Sequence, residues 1–146
     1  MIVLDTNVIS ELMAPSPNDL IAGWLNRQPR SSVWTTSINV YEIRAGLLAM
    51  PAGKRRTALE ERFETALQVS LGGRILQFDS ESALRAAELS ADRRKRGRPV
   101  EARDTMIAGI ILANHATIAT RNVKHFEDIA KRVVNPWSSS GDRPGH

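Results

Sequence analysis

The chain contains no cysteine, which excludes disulfide staples, thiolate metal sites and cysteine nucleophiles. It has neither a basic leader followed by an apolar core nor an apolar run long enough to cross a bilayer. The expectation is a soluble, unexported, cytoplasmic protein with no membrane contact. Aromatic residues are scarce, at 5% with a single tyrosine, and they do not alternate with basic residues, so no base-stacking platform is advertised. His115, His125 and His146 do not fall at metal-ligand spacing. Acidic residues are outnumbered, 16 against 20 Lys and Arg, for a net charge of +4 and a pI near 10.1. That is a weak pointer to a polyanionic partner.

What is present suits one folded domain. The 146 residues are 42% hydrophobic, enough for a single core, and there is no internal repeat or linker. Met1 to Glu11, MIVLDTNVISE, reads as a short buried strand that stops at Asp5, followed by a helix with Val8, Ile9, Leu12 and Met13 on its apolar side. Asn18 caps a second helix through Trp24 and Leu25. Ser32 to Ser37 has strand character, and Ser37 opens a helix whose apolar face is expected at Ile38, Tyr41, Ala45 and Leu48, with Glu42 in its first turns. A long amphipathic helix spans about Lys54 to Val69. Arg74 to Phe78 reads as a third strand, and Asp79 or Ser80 caps a helix carrying Leu84, Ala87 and Leu89, which Gly97 terminates. Arg103-Asp104 opens the most apolar helix, expected to be central and buried. Ala116–Thr120 is a fourth strand, Asn122–Phe126 a helical turn and Arg132–Val134 a fifth strand. Strands alternating with helices indicate a parallel sheet covered on both faces.

Three carboxylates fall at related points of this plan. Asp5 ends the first strand, Glu42 lies early in the helix after the second, and Asp104 opens the central helix; Asn122 follows the fourth strand. In a doubly wound sheet these positions converge on the crevice at the carboxyl ends of the strands. Each acid also has a structural reading: Asp5 as a helix cap, Glu42 as a surface residue, Asp104 as a helix N-terminal acid. Holding all three structural readings at once requires three coincidences in one crevice. Clustered carboxylates repel unless a cation joins them, and an oxygen-only set favours Mg²⁺ or Mn²⁺, an ion suited to water attack on a phosphodiester.

The patterns LDTNVISE, Asn39-Val40-Tyr41-Glu42-Ile43, Arg103-Asp104-Thr105-Met106-Ile107-Ala108 and Ala119-Thr120-Arg121-Asn122-Val123-Lys124-His125-Phe126 resemble those of the PIN domain. They are most similar to VapC toxins of type II toxin–antitoxin systems, in the FitB-like branch. The resemblance runs to Asn135-Pro136-Trp137. It implies a three-layer α/β/α sandwich with a five-stranded, mainly parallel sheet over residues 1–137, leaving 138–146 as a tail expected to be disordered. It implies a Mg²⁺- or Mn²⁺-dependent endoribonuclease whose metal ligands are Asp5, Glu42 and Asp104, and whose partners are RNA and a small DNA-binding antitoxin of the VapB/FitA kind. A homodimer, and a higher toxin–antitoxin assembly on operator DNA, follow from the same resemblance. Position 122 departs from the pattern, since many PIN nucleases carry a fourth acid where this chain has Asn122. An amide can orient water but adds no charge. Thr120, and more weakly Thr6, can hold that water or a phosphate oxygen, and a structural hydroxyl–backbone bond serves either residue equally well.

Two other readings stand beside this one. One is a PIN scaffold that mainly partners a DNA-binding repressor, with weak or no nuclease activity. The other is a phosphatase of the haloacid-dehalogenase type, which wants a second aspartate where this chain has Asn7. The basic run Arg93–Arg98, RRKRGR, reads either as a grip on RNA phosphates beside the crevice or as a solvated helix end.

Overall fold

The computed structural model describes residues 1–98 and 100–138. The tail expected at 138–146 therefore lies, apart from Ser138, outside the described residues.

Five short strands form one sheet: β1 (Ile2–Leu4), β2 (Val33–Thr36), β3 (Ile75–Leu76), β4 (Thr117–Ala119) and β5 (Val133–Val134). Their order is β3-β2-β1-β4-β5, and every pairing is parallel, with Ile2 opposite both Val33 and Thr117. The expected mainly parallel sheet is thus wholly parallel. The chain winds from β1 outward to β3, then returns to β4 on the other side of β1, so β1 and β4 flank the switch point.

Alternation along the strands splits the core in two. Leu4, Val33, Ala119 and Val134 face a cluster containing Val8, Ile9, Trp24, Ile43, Leu47 and Phe63. These come from α1 (Thr6–Leu12), α2 (Asp19–Asn26), α3 (Ser37–Ala49) and α4 (Lys54–Thr65). Val3, Ile118 and Val133 face the opposite way, toward Ile107, Ala108, Ile111 and Phe126. That layer holds α5 (Ser80–Lys95), α6 (Ala102–Ala113) and a 3₁₀ segment, Val123–Arg132, broken at Phe126 and Ile129. The result is the three-layer sandwich, with α6 the most deeply covered helix.

Caps fall where the sequence places them. Asn18 accepts the Leu20 N–H at 2.8 Å, and Asp79 accepts that of Ser82 at 2.9 Å. Two helix faces depart from expectation. In α3 the buried residues are Asn39, Ile43 and Leu47, whereas Tyr41 and Leu48 are each 62% exposed. In α5 the buried residues are Ser82, Ala86 and Arg93, with Leu84 exposed. In both cases the buried face carries polar side chains, of which Asn39 and Arg93 meet several partners, so counting apolar residues assigns the wrong phase.

The α5–α6 contact is close because of Gly109. A Cβ there would lie 2.5 Å from the Ser82 carbonyl oxygen and 2.7 Å from the Ala86 Cβ. Backbone atoms cannot yield, which accounts for glycine in mid-helix despite its poor propensity. No helix among the described residues is long and apolar enough to cross a membrane.

Candidate active site

Asp5 stands at the carboxyl end of β1, 4% exposed, and its two oxygens are surrounded by donors. Oδ1 accepts the Thr6 N–H at 2.9 Å and the Asn39 side-chain amide at 2.9 Å. Oδ2 accepts the Thr120 hydroxyl at 2.7 Å and the Asn7 amide at 3.3 Å. The capping reading and the site reading therefore coexist: Asp5 is the N-cap of α1 while its orientation is fixed from β4 and α3 as well. Thr120, the residue after β4, is fully buried; its hydroxyl also accepts from the Asn122 N–H at 3.0 Å and Asn7 at 3.3 Å. It spans the switch point and positions Asp5 rather than facing open solvent. Asn7 both donates into this cluster and accepts the Arg121 N–H at 3.0 Å, a binding role in place of the second aspartate a dehalogenase-type phosphatase requires.

Glu42 and Asp104 approach Asp5 from α3 and α6. Burial raises the Glu42 pKa above its ordinary value; the negative charges of Asp5 and Asp104 push it further, against the Arg103 guanidinium. Burial likewise raises Asp104, opposed by His125 and reinforced by Asp5. Glu42 thus feels both other acids and Asp104 feels Asp5, as groups gathered at one site do. Each also has a local basic partner: Arg103 Nη1 lies 3.6 Å from Glu42 Oε2, and His125 Nδ1 lies 2.9 Å from Asp104 Oδ2.

Asn122 is exposed and joins the site through its backbone N–H; its side chain makes no hydrogen bond among the described residues. Thr6 accepts the Asn39 amide at 3.0 Å. Sequence reasoning missed Asn39, which is fully buried and links Asp5, Thr6 and Thr36. Its spacing was the available signal, since it precedes Glu42 by three residues on the same side of α3.

The donor chemistry fits a hard divalent cation: three carboxylates, all oxygen ligands, with excess negative charge that Arg103 offsets only in part. Among the described residues, no three acid or histidine side chains already stand as a metal cage. Glu42 and Asp104 are turned to Arg103 and His125, and reaching a common ion requires them to leave these partners.

The basic run does not line the crevice as a unit. Arg93 is buried and forks onto Asp128, with Nε 2.7 Å from Oδ2 and Nη2 2.8 Å from Oδ1. It also donates to Thr105 Oγ1 at 2.9 Å and the His125 carbonyl at 3.0 Å. Arg93 is therefore a structural clamp, excluded from contact with RNA by burial. Arg96 pairs with Asp92 and Arg98 with Glu127.

Two cavities open on the acids. An apolar groove of about 480 Å³, lined by Met13, Ile43, Gly46, Leu47 and Leu59, reaches Thr6 and Glu42. A polar cavity of about 360 Å³ reaches Asp104.

The PIN domain family matches residues 2–132. The plasmid stability protein StbB of Pseudomonas syringae pv. tomato is 42% identical over 95% of this chain and 100% of its own length. The VapC ribonuclease Y4jK of Sinorhizobium fredii is 39% identical over 94% and 98%. The crystal structure of FitAcB from Neisseria gonorrhoeae superposes with a TM-score of 0.83 at 36% identity, covering 94% of this chain and 99% of that one. With four sequence motifs meeting at one parallel-sheet crevice and these relatives matching nearly end to end, the chain belongs to the PIN domain family, among the VapC/FitB-like toxins of toxin–antitoxin systems.

Proposed function

We propose that this protein is the toxin of a type II toxin–antitoxin system, acting in the cytoplasm as a divalent-metal-dependent endoribonuclease. The observation that carries the reading is that Asp5, held by four donors at the carboxyl end of β1, lies close enough to Glu42 and Asp104 for its charge to raise the pKa of both. Residues 1–137 form the PIN unit. Asp5, Asp104 and Glu42 are the residues that would hold Mg²⁺ or Mn²⁺, which when bound supplies Lewis-acid charge for water attack on a phosphodiester. The chain's own contribution is orientation: Thr120, Asn7, Asn39 and the Thr6 N–H fix both oxygens of Asp5. Asn122, beside Thr120, supplies a neutral amide where a fourth acid would add charge, which favours one well-held ion over two.

The test is incubation with total cellular RNA and Mg²⁺, followed by mapping of new RNA ends. Discrete new ends that vanish with EDTA are expected. Intact RNA under all conditions would instead support the scaffold reading, in which the protein chiefly partners a repressor.

The partner reading rests on the apolar groove. Solved relatives include FitAB bound to a DNA fragment, and the proposed partner here is a small DNA-binding antitoxin of the VapB/FitA kind. Its apolar side chains would fill the groove and an Arg or Lys would face Asp5, Glu42 and Asp104, a cation being needed where acids are buried together. A homodimer, and a larger assembly on operator DNA, are part of the same proposal. Gly46 is exposed with open space around it, so Gly46→Phe fills the groove without disturbing the core. It is expected to abolish antitoxin capture in a pull-down while RNA cleavage persists; retained capture would move the partner elsewhere.

A further inference from the structure

We propose that the polar cavity beside Asp104 is a subsite for an RNA backbone phosphate neighbouring the one to be cleaved, with Lys124 as its principal contact. The inference rests on the ribonuclease reading above and adds the path of the substrate to it.

The cavity is lined by Arg98, Val100, Glu101, Asp104, Lys124 and His125, and shares no lining residue with the apolar groove. The acids therefore stand between two surfaces of unlike chemistry. One is apolar and suits buried side chains; the other gathers three basic groups within reach of Asp104 and suits a polyanion. Both acids in the polar cavity are already answered, Glu101 by Arg103 and Asp104 by His125. Lys124 is exposed and makes no ion pair among the described residues, so its charge is available to a ligand. Arg98 is half-engaged, since its guanidinium pairs with Glu127, a carboxylate 52% exposed. A phosphate entering the cavity competes with Glu127 for Arg98 at little cost, because exposed pairs contribute little.

The Arg93 clamp sets the geometry of this wall. By holding Asp128, the His125 carbonyl and Thr105 together, it fixes the 3₁₀ segment bearing Lys124 and His125 against the first turns of α6. Of the basic run itself, then, only Arg98 reaches the site, and the remaining charge arrives on Lys124, from the 3₁₀ segment that follows β4. A backbone phosphate is favoured over a base as the occupant, because the cavity offers the Arg98 and Lys124 cations and no Phe, Tyr or Trp ring, and its one imidazole, His125, is engaged with Asp104.

The test measures binding apart from cleavage, by fluorescence anisotropy of a labelled single-stranded RNA oligonucleotide in EDTA over a range of KCl concentrations. Lys124→Gln is expected to weaken binding several-fold and to reduce the slope of log affinity against log salt by about 0.7, the value for one phosphate contact on a single strand. Lys95→Gln, the same charge change on the exposed end of α5, should leave the slope unmoved. Glu127→Gln, which frees Arg98, is expected to tighten binding, whereas Glu88→Gln, an equal charge change on α5, should not. Equal effects within either pair would overturn the subsite while leaving the ribonuclease reading intact. A wild-type protein with no affinity for RNA would overturn both.

Discussion

Asp5→Asn, Glu42→Gln and Asp104→Asn are each expected to lower RNA cleavage by on the order of 10²–10³-fold, since losing one ligand charge forfeits several kcal/mol of stabilisation at about 1.4 kcal/mol per decade. Their effects on stability are expected to divide them. Four donors converge on the Asp5 oxygens, and an Asn amide would present N–H groups to some of them. Asp5→Asn should therefore cost about 1–3 kcal/mol, the penalty for unsatisfied buried polar groups. Glu42 and Asp104 have pKa values raised by burial and by neighbouring acids. A carboxylate whose folded pKa exceeds its unfolded value destabilises the fold at neutral pH, so their neutral analogues should melt at the wild-type temperature or above it. Cleavage assays on the true RNA with thermal melts of the metal-free proteins decide this. Full activity in any variant removes that residue from the site, and an unchanged melt for Asp5→Asn refutes the donor cluster.

The second large effect is structural. Asp128→Asn is expected to destabilise the protein by about 3 kcal/mol, because it leaves the buried Arg93 charge without its forked partner. Arg93 holds Asp128 well below its ordinary value of 3.8. A depressed folded pKa contributes stability that is fully present above the unfolded pKa and is lost as pH falls through the folded one. The gap between wild type and Asp128→Asn in denaturant melts should thus be constant near neutrality and close below about pH 4. A gap that persists unchanged at pH 2 would show that the loss comes from packing. Replacing both partners with apolar residues, Arg93→Met with Asp128→Leu, should recover much of the stability, as buried pairs often allow.

The sequence made local events legible. The apolar run of β1 that halts at Asp5, the Asn18 and Asp79 caps, and the glycine that ends α5 all follow from neighbours a few residues apart. Asp5, Glu42 and Asp104 were readable because each sits at a fixed place in a strand–helix repeat. What was hidden depends on distant partners. Nothing near His125 announces that Asp104 will face it, and nothing near Arg93 announces Asp128. Arg93 in particular looks like one of four consecutive basic surface residues until the 3₁₀ segment covers it. The same cause misplaced two helix faces. Asn39 is buried because Asp5, Thr6 and Thr36 receive it, and this turns Tyr41 and Leu48 outward. Apolar periodicity has no means of registering such a polar anchor.

The outermost strands, Ile75–Leu76 and Val133–Val134, are only two residues long, and this governs how copies of the chain can meet. An exposed edge recruits another chain by offering a row of unpaired N–H and C=O groups. Here each rim offers too few to template a ladder, well short of the five or six residues of an ordinary strand. Fibril-like stacking through the sheet is thereby discouraged, a useful property in a parallel fold whose long-range pairings form slowly. Two copies that associate must therefore do so through helical surfaces and loops, by side chains rather than by a continuous ribbon of backbone bonds.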